Sequence, residues 1–388
     1  LEDAEGFHTT HGSVPFKDRL PERDSVQVER LRAAGAIVVG KTTAPEFGYT
    51  CITKNLIHGV TRSPWNPDYT PGGSSGGSSA AIAGGMIPLV TASDGGGSIR
   101  LPASFTGCFG LKISYGRIPH GPFEAWETTD TSVVGPLTRT VEDAAIHLDA
   151  VVGPHPLDPK SLPHPGLRYR DVLRDLPPGL RIAFSRDLGF GVVQSDVEAV
   201  VADATQAFAE LGHTVEEISG GPPELGRQWG LINAFEAAGK LGHLIPEREA
   251  EFGRSFIQGV KAGFKMTPEI WWNGQTARQK LVEWCAEVFG EYDLLLTPTT
   301  FADPPPARGP LPTEVEGKPA PWGSSGAFTI PFNLSWHPAA SVRAGFSNAG
   351  LPVGLQIVAP RHRDDLVLQA AWAFEQARPW ANDWPDVA

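Results

Sequence analysis

The stretch from Thr70 to Ser104, TPGGSSGGSSAAIAGGMIPLVTASDGGGSIRLPAS, limits the folds open to this chain more than any other. It carries six serines from Ser74 to Ser98 and is threaded with glycine, the composition of a flexible spacer. A spacer has no use for AAIAGGMIPLV, which reads as a short helix followed by a buried strand. The resulting order is loop, helix, strand, a turn of three glycines, and a second helix opening at SIRLPASF. Alternation of this kind indicates a layered α/β chain.

The rest of the sequence extends the pattern. DSVQVERLRAAG places Val28, Leu31 and Ala34 at helical spacing behind Asp24 and Ser25, and the AIVVG that follows reads as a buried strand. Residues 61–73 hold prolines at 64, 67 and 71, so they form a loop. Proline is dense again over 152–180, which marks a crossing segment. LRIAFS, YDLLLTPT and PVGLQIVAP are strand candidates, while SDVEAVVADATQAFAELG and DDLVLQAAWAFEQA are amphipathic helices. Residues 226–290 are mostly helical, and Trp229, Trp271, Trp272 and Trp284 could line a pocket, although their helical spacing reads first as core packing.

Which chemistry the glycines serve is decided by context. A phosphate-binding loop needs a lysine after its last glycine, and neither GGSSGGSS nor GGGSIR supplies one. A nucleophile elbow of the G-x-S-x-G type matches at 72–76 and at 73–77, but a proline loop precedes both where a strand is required. A Ser-His-Asp triad would draw on His337 in NLSWHPAAS, where an ordinary core histidine is the simpler reading. Ser98 has the required setting, since it follows a strand and a turn of glycines and opens a helix. Consecutive glycines let backbone N–H groups converge without side-chain obstruction. Donors from Gly95, Gly96, Gly97 and Ser98 would therefore face the oxyanion of a tetrahedral intermediate, with Asp94 and Arg100 bracing the loop as an ion pair.

Composition narrows the partners. A net charge of −12 disfavours a binder of nucleic-acid phosphates. The three cysteines, Cys51, Cys108 and Cys285, show no metal-type spacing and read as reduced thiols of a cytoplasmic protein. No apolar run is long enough to span a bilayer, and LEDAEGFHTT lacks a hydrophobic signal region.

At this point the residues match a family. GGSSGGSSAAIAGGMIPLVTASDGGGSIRLPASFTGCFGLK closely resembles the amidase signature family of Ser-cisSer-Lys amidohydrolases, and VERLRAAGAIVVGKT, PWNP, DLLLTPT, PFNLSWHPAASV and GLPVGLQIVAP extend the resemblance over most of the chain. The resemblance implies a mixed, mostly central β-sheet covered by helices on both faces. It implies one domain over 1–388 lacking the family's N-terminal helical part and early strand, with a variable, mostly helical substrate-pocket region at 152–290.

It also implies that Ser98 is the nucleophile and Ser74, behind a cis peptide bond, the bridging serine. Ser93 stands where many members carry threonine. The family's lysine lies in a K-D segment ahead of a stretch like LEDAEGFHTTHGS, so it is expected upstream of Leu1; Lys41 and Lys17 are not assigned its role. No metal or organic cofactor is implied. Phe47, Tyr49 and Trp126 are expected to line an aromatic pocket for a small-molecule amide, ester or carbamate, in a monomer or homodimer that engages neither nucleic acid nor membrane. Two alternatives stay open: an A-type subunit of a tRNA-dependent amidotransferase, working with partner chains, and a non-catalytic amide-binding relative.

Overall fold

A computed structural model describes every residue except 123–128, 323 and 388; Trp126 therefore lies outside the described residues. Eight strands form one central sheet: β1 Leu89–Asp94, β2 Phe109–Lys112, β3 Val133–Thr138, β4 Arg181–Phe184, β5 Thr214–Glu217, β6 Leu294–Pro298, β7 Ala339–Phe346 and β8 Pro352–Val358. Their spatial order is β1-β3-β2-β7-β8-β6-β4-β5. Neighbours are antiparallel from β1 to β6, and β4 then runs parallel to both β6 and β5, so the sheet is mixed.

The strands' burial explains their sequences. All residues of β2, β3, β6 and β8 are buried, which is why FGLK, LLLTP and PVGLQIV read as near-continuous apolar runs rather than alternating ones. β1 alternates instead, with Val90, Ala92 and Asp94 turned inward.

Helices cover both faces. On one lie α2 Gly76–Ala83 and α3 Arg100–Thr106. α3 sits close to the sheet because Gly354 of β8 has no side chain, and a Cβ there would fall 2.7 Å from that of Ser104. On the other face α4 Val141–Val151, α5 Ser195–Glu210 and α10 Asp364–Ala377 pack on Leu111, Val342, Leu355 and Ile357 in the largest apolar core. α5 buries Val197, Val201, Ala204 and Phe208, and Gly212 follows its end with φ of +89°. Of the segment 152–290, the first half supplies β4 and β5 to the sheet and α5 to its face. The second half forms a helical layer of α6 Gly226–Leu241, α7 Arg254–Gly263 and α8 Pro268–Glu291.

One expected strand is absent. α1 Val26–Ala33 forms as read, capped by the Ser25 hydroxyl, but AIVVG at 36–40 forms no strand, and Ile37 and Val39 are 85% and 73% exposed. The apolar run has no paired neighbour among the described residues, and an unpaired strand gains neither ladder bonds nor burial. No described helix is long and apolar enough to cross a membrane.

Candidate active site

The register of β1 with β3 sets Asp94 opposite Val133 at one rim of the sheet, and residues 95–99 leave the rim as a loop into α3. Asp94 holds that loop together. Its Oδ1 accepts from the Gly97 N–H at 2.7 Å, and its Oδ2 accepts from the N–H groups of Ile99 and Arg100 at 3.2 and 3.3 Å. Arg100 adds a two-point ion pair, Nη2 to Oδ1 at 2.9 Å and Nε to Oδ2 at 3.0 Å, with both side chains fully buried. Burial alone would push the Asp94 carboxyl up, but Arg100 and Asn333 outweigh it and hold it at about 2.

The network continues into the C-terminal third. Arg100 Nη1 donates to Thr329 O and Gln356 Oε1, and Nη2 to Asn333 Oδ1. Asn333, on α9 Ile330–Leu334, donates in turn to Asp94 O, Asp94 Oδ1 and Thr131 O. Sequence reasoning gave Thr329, Asn333 and Gln356 no role. Their only signal was that Asn333 and Gln356 lie inside PFNLSWHPAASV and GLPVGLQIVAP.

The loop's donors are not those expected in full. Gly97 spends its N–H on Asp94, so it is an anchor rather than an open donor. Its φ of +127° and a Thr329 Oγ1 that would lie 2.2 Å from any Cβ require glycine at this position. The N–H groups of Gly95, Gly96 and Ser98 have no hydrogen-bond partner among the described residues. Two carbonyls of the loop are tied from outside, Gly95 O by Trp229 Nε1 at 2.7 Å and Gly96 O by Thr329 Oγ1 at 2.7 Å.

Ser74 arrives from the proline loop. The Gly73–Ser74 peptide is cis, and the Thr53 hydroxyl holds Gly72 O at 2.8 Å. Ser75 N–H donates to Ser98 O at 3.2 Å, which sets the two serine segments side by side. The Ser75 hydroxyl bonds across to Ser93 O at 3.3 Å, so Ser93 meets the pair through its backbone. Ser78 and Ser79 are occupied with Thr42, Thr91 O, Pro71 O and Gly76 O. By contrast, the hydroxyls of Ser74 and Ser98 have no hydrogen-bond partner among the described residues; Ser74 is buried and Ser98 half-buried.

The segment 47–49 passes the same point. A Cβ on Gly48 would lie 3.2 Å from Ser74 Oγ and 2.9 Å from Leu1 Cδ1. Phe47 and Tyr49 beside it turn onto Phe256 of α7, with ring centroids 4.9 and 5.5 Å apart. Both are half-buried and form a wall joining this segment to the helical layer.

Other expected or tempting residues lie elsewhere. Lys41 donates to Thr9 Oγ1 at 3.0 Å and to Glu2 O, and Lys17 is exposed. His337 bonds Ser335 at 2.9 Å and stacks on Phe289, lining a cavity of about 900 Å³ with Tyr115, Trp336 and Arg361 that contains neither serine. Lys112, to which no role was given, is fully buried. It donates to Ile113 O at 3.0 Å and His337 O at 2.6 Å, and burial, with Arg100 adding to it, brings its amine down to about 7.

The site thus combines a buried acid–arginine brace, the N–H groups of Gly95, Gly96 and Ser98, and two serine hydroxyls, Ser74 and Ser98, without hydrogen-bond partners among the described residues. The comparisons name the class: the family model Amidase matches residues 3–368, and the chain belongs to the amidase signature family of C–N amide hydrolases. Among curated proteins it is 36% identical over 407 residues to an acylamidase of Rhodococcus erythropolis, covering 99% of this chain and 81% of that protein. It is also 36% identical over 400 residues to the A-type subunit of the glutamyl-tRNA(Gln) amidotransferase of Thermus thermophilus, covering 97% and 83%. Among solved structures, a bacterial aryl acylamidase superposes with a TM-score of 0.92 at 30% identity, covering 98% of this chain and 81% of that one. A 6-aminohexanoate cyclic dimer hydrolase follows at 0.88 and 30%, covering 99% and 84%.

Proposed function

We propose that the protein hydrolyses a carboxylic amide through an acyl-enzyme on Ser98, with Ser74 as the proton relay. The observation that carries the reading is the site itself: Ser98 is half-buried at the end of the loop that carries the unpartnered N–H groups of Gly95 and Gly96, and the bond from Ser75 N–H to Ser98 O brings the segment of Ser74 to it.

Ser98 Oγ attacks the acyl carbon as its proton passes to Ser74 and the Ser74 proton passes to a basic amine. The family pattern assigns that amine to the lysine of its K-D segment. The carbonyl oxygen becomes an oxyanion facing the open N–H groups, where one donor contributes roughly 3 kcal/mol. The C–N bond breaks as Ser74 returns a proton to the leaving nitrogen. Water then attacks the acyl-enzyme through the same relay, releasing the acid and restoring Ser98. The chemistry calls for no cofactor.

The aromatic wall of Phe47, Tyr49 and Phe256, together with Trp229 over the loop, suits an aryl or acyl amide, with esters and carbamates as side substrates. The amidotransferase reading has equal sequence identity in its favour, but the fit to the aryl acylamidase is closer than to the A-type chain of an amidotransferase, 0.92 against 0.82. A substrate panel decides: anilides and other aryl amides are expected to be cleaved by the protein alone. Comparable rates on charged, non-aromatic amides, or activity only with added partner chains, would overturn the substrate class.

A further inference from the structure

Trp229 stands near the start of α6, in the helical layer rather than the sheet. Its indole N–H reaches Gly95 O at 2.7 Å, and its six-membered ring lies so close over Gly96 that a Cβ there would fall 2.4 Å from Cζ2. Trp229 packs against the apolar cluster that contains Leu225, Leu281, Cys285 and Ile330.

A trans peptide is planar, with its C=O and the next N–H pointing in opposite directions. Holding Gly95 O therefore sets the direction of the Gly96 N–H. Thr329 makes the same kind of bond to Gly96 O, but the N–H that it orients belongs to Gly97 and is already bonded to Asp94. Of the two carbonyl ties, only that of Trp229 governs an open donor. A run of glycines has no side chains of its own to restrict it, so this tie has to come from outside.

We infer that Trp229 is a positioning residue for the acyl-oxygen site: its indole fixes the Gly95–Gly96 peptide plane and so aims the Gly96 N–H at the developing oxyanion. The inference rests on the Ser98 reading above. Trp229 makes no hydrogen bond to Ser98 or Ser74 among the described residues, and its effect on the oxyanion runs through Gly96.

The test compares the wild type with Trp229→Phe, which keeps a ring and loses the donor, on an anilide substrate and on phenylboronic acid, which forms a tetrahedral anion on a reactive serine. The expected result is a fall in kcat of about tenfold with KM within about twofold. The boronate inhibition constant should weaken by the same factor of about ten, with the melting temperature unchanged. If Trp229→Phe unfolds, 3-benzothienylalanine at 229 keeps the ring shape without the N–H and must give the same split. A kcat within twofold of wild type, or a lower kcat with unchanged boronate affinity, overturns the inference. Ser98→Ala run alongside separates the two readings: if it retains turnover, the nucleophile assignment has failed, whatever Trp229 does.

Discussion

Asp94 and Arg100 meet as a two-point ion pair from which water is excluded, with Arg100 Nη2 2.9 Å from Asp94 Oδ1 and neither side chain exposed. The same carboxylate collects the N–H groups of Gly97, Ile99 and Arg100, so one buried charge sets both the turn of the glycine loop and the start of α3. A loop held this way is built before substrate arrives, which is what electrostatic stabilisation of an oxyanion requires.

Breaking that pair should be costly. Arg100→Leu leaves Asp94 as an uncompensated buried charge, a change worth about 3–5 kcal/mol of stability. Urea unfolding should show that loss, together with the loss of amidase activity. A loss below about 1 kcal/mol would mean that the loop is braced by something other than this pair.

His147 in α4 is 1% exposed, and neither ring nitrogen has a hydrogen-bond partner among the described residues. His147→Leu should stabilise the fold by about 1–2 kcal/mol, because it removes a polar group buried without compensation. Burial also lowers the imidazoles of His147 and His337 to about 3. Between the ordinary histidine value of about 6.5 and that value, the unfolded chain binds protons that the folded one refuses. Stability is therefore expected to fall as pH drops below 6.5. Urea midpoints from pH 7 to 4 should decline, less steeply in His147→Leu.

Lys112 extends the same linkage to alkaline pH. Its amine, brought to about 7, loses its proton in the fold as pH rises past 7 while the unfolded chain stays protonated up to about 10.4, so the fold gains stability over that range. Its two carbonyl partners match the two N–H groups of a neutral amine. Between pH 7 and 9 the gain is on the order of 2 kcal/mol and should be absent in Lys112→Met. An equal rise in the variant would assign the effect to another group.

Gly96 tests the crowding over the loop. Gly96→Ala puts a methyl against the Trp229 ring, and the two cannot both keep their places. The variant should lose about a hundredfold in kcat, since one oxyanion donor is displaced. Steady-state kinetics on an anilide measure it, and retention of wild-type kcat would place the acyl oxygen elsewhere.

What the sequence disclosed depended on whether a residue's role was local. Ser98, Ser74 and the Asp94–Arg100 brace all lie within one continuous motif, and the strand, turn and helix that carry them are visible as period and punctuation. Trp229, Thr329, Asn333 and Gln356 reach the loop from more than a hundred residues away, and nothing in their local spacing ties them to it. β3 shows another limit: VVGPLT contains Gly135 and Pro136, residues unfavourable inside a sheet, yet Pro136 sits opposite Thr91 in it. AIVVG has the composition of a strand, but only a paired neighbour makes it one.

The most direct test of the mechanism is to treat the enzyme with a fluorophosphonate probe and locate the adduct by peptide mass spectrometry. The adduct is expected on Ser98, absent in Ser98→Ala and formed more slowly in Ser74→Ala. Labelling that survives Ser98→Ala and vanishes with Ser74→Ala would show that the serine nucleophile had been chosen wrongly.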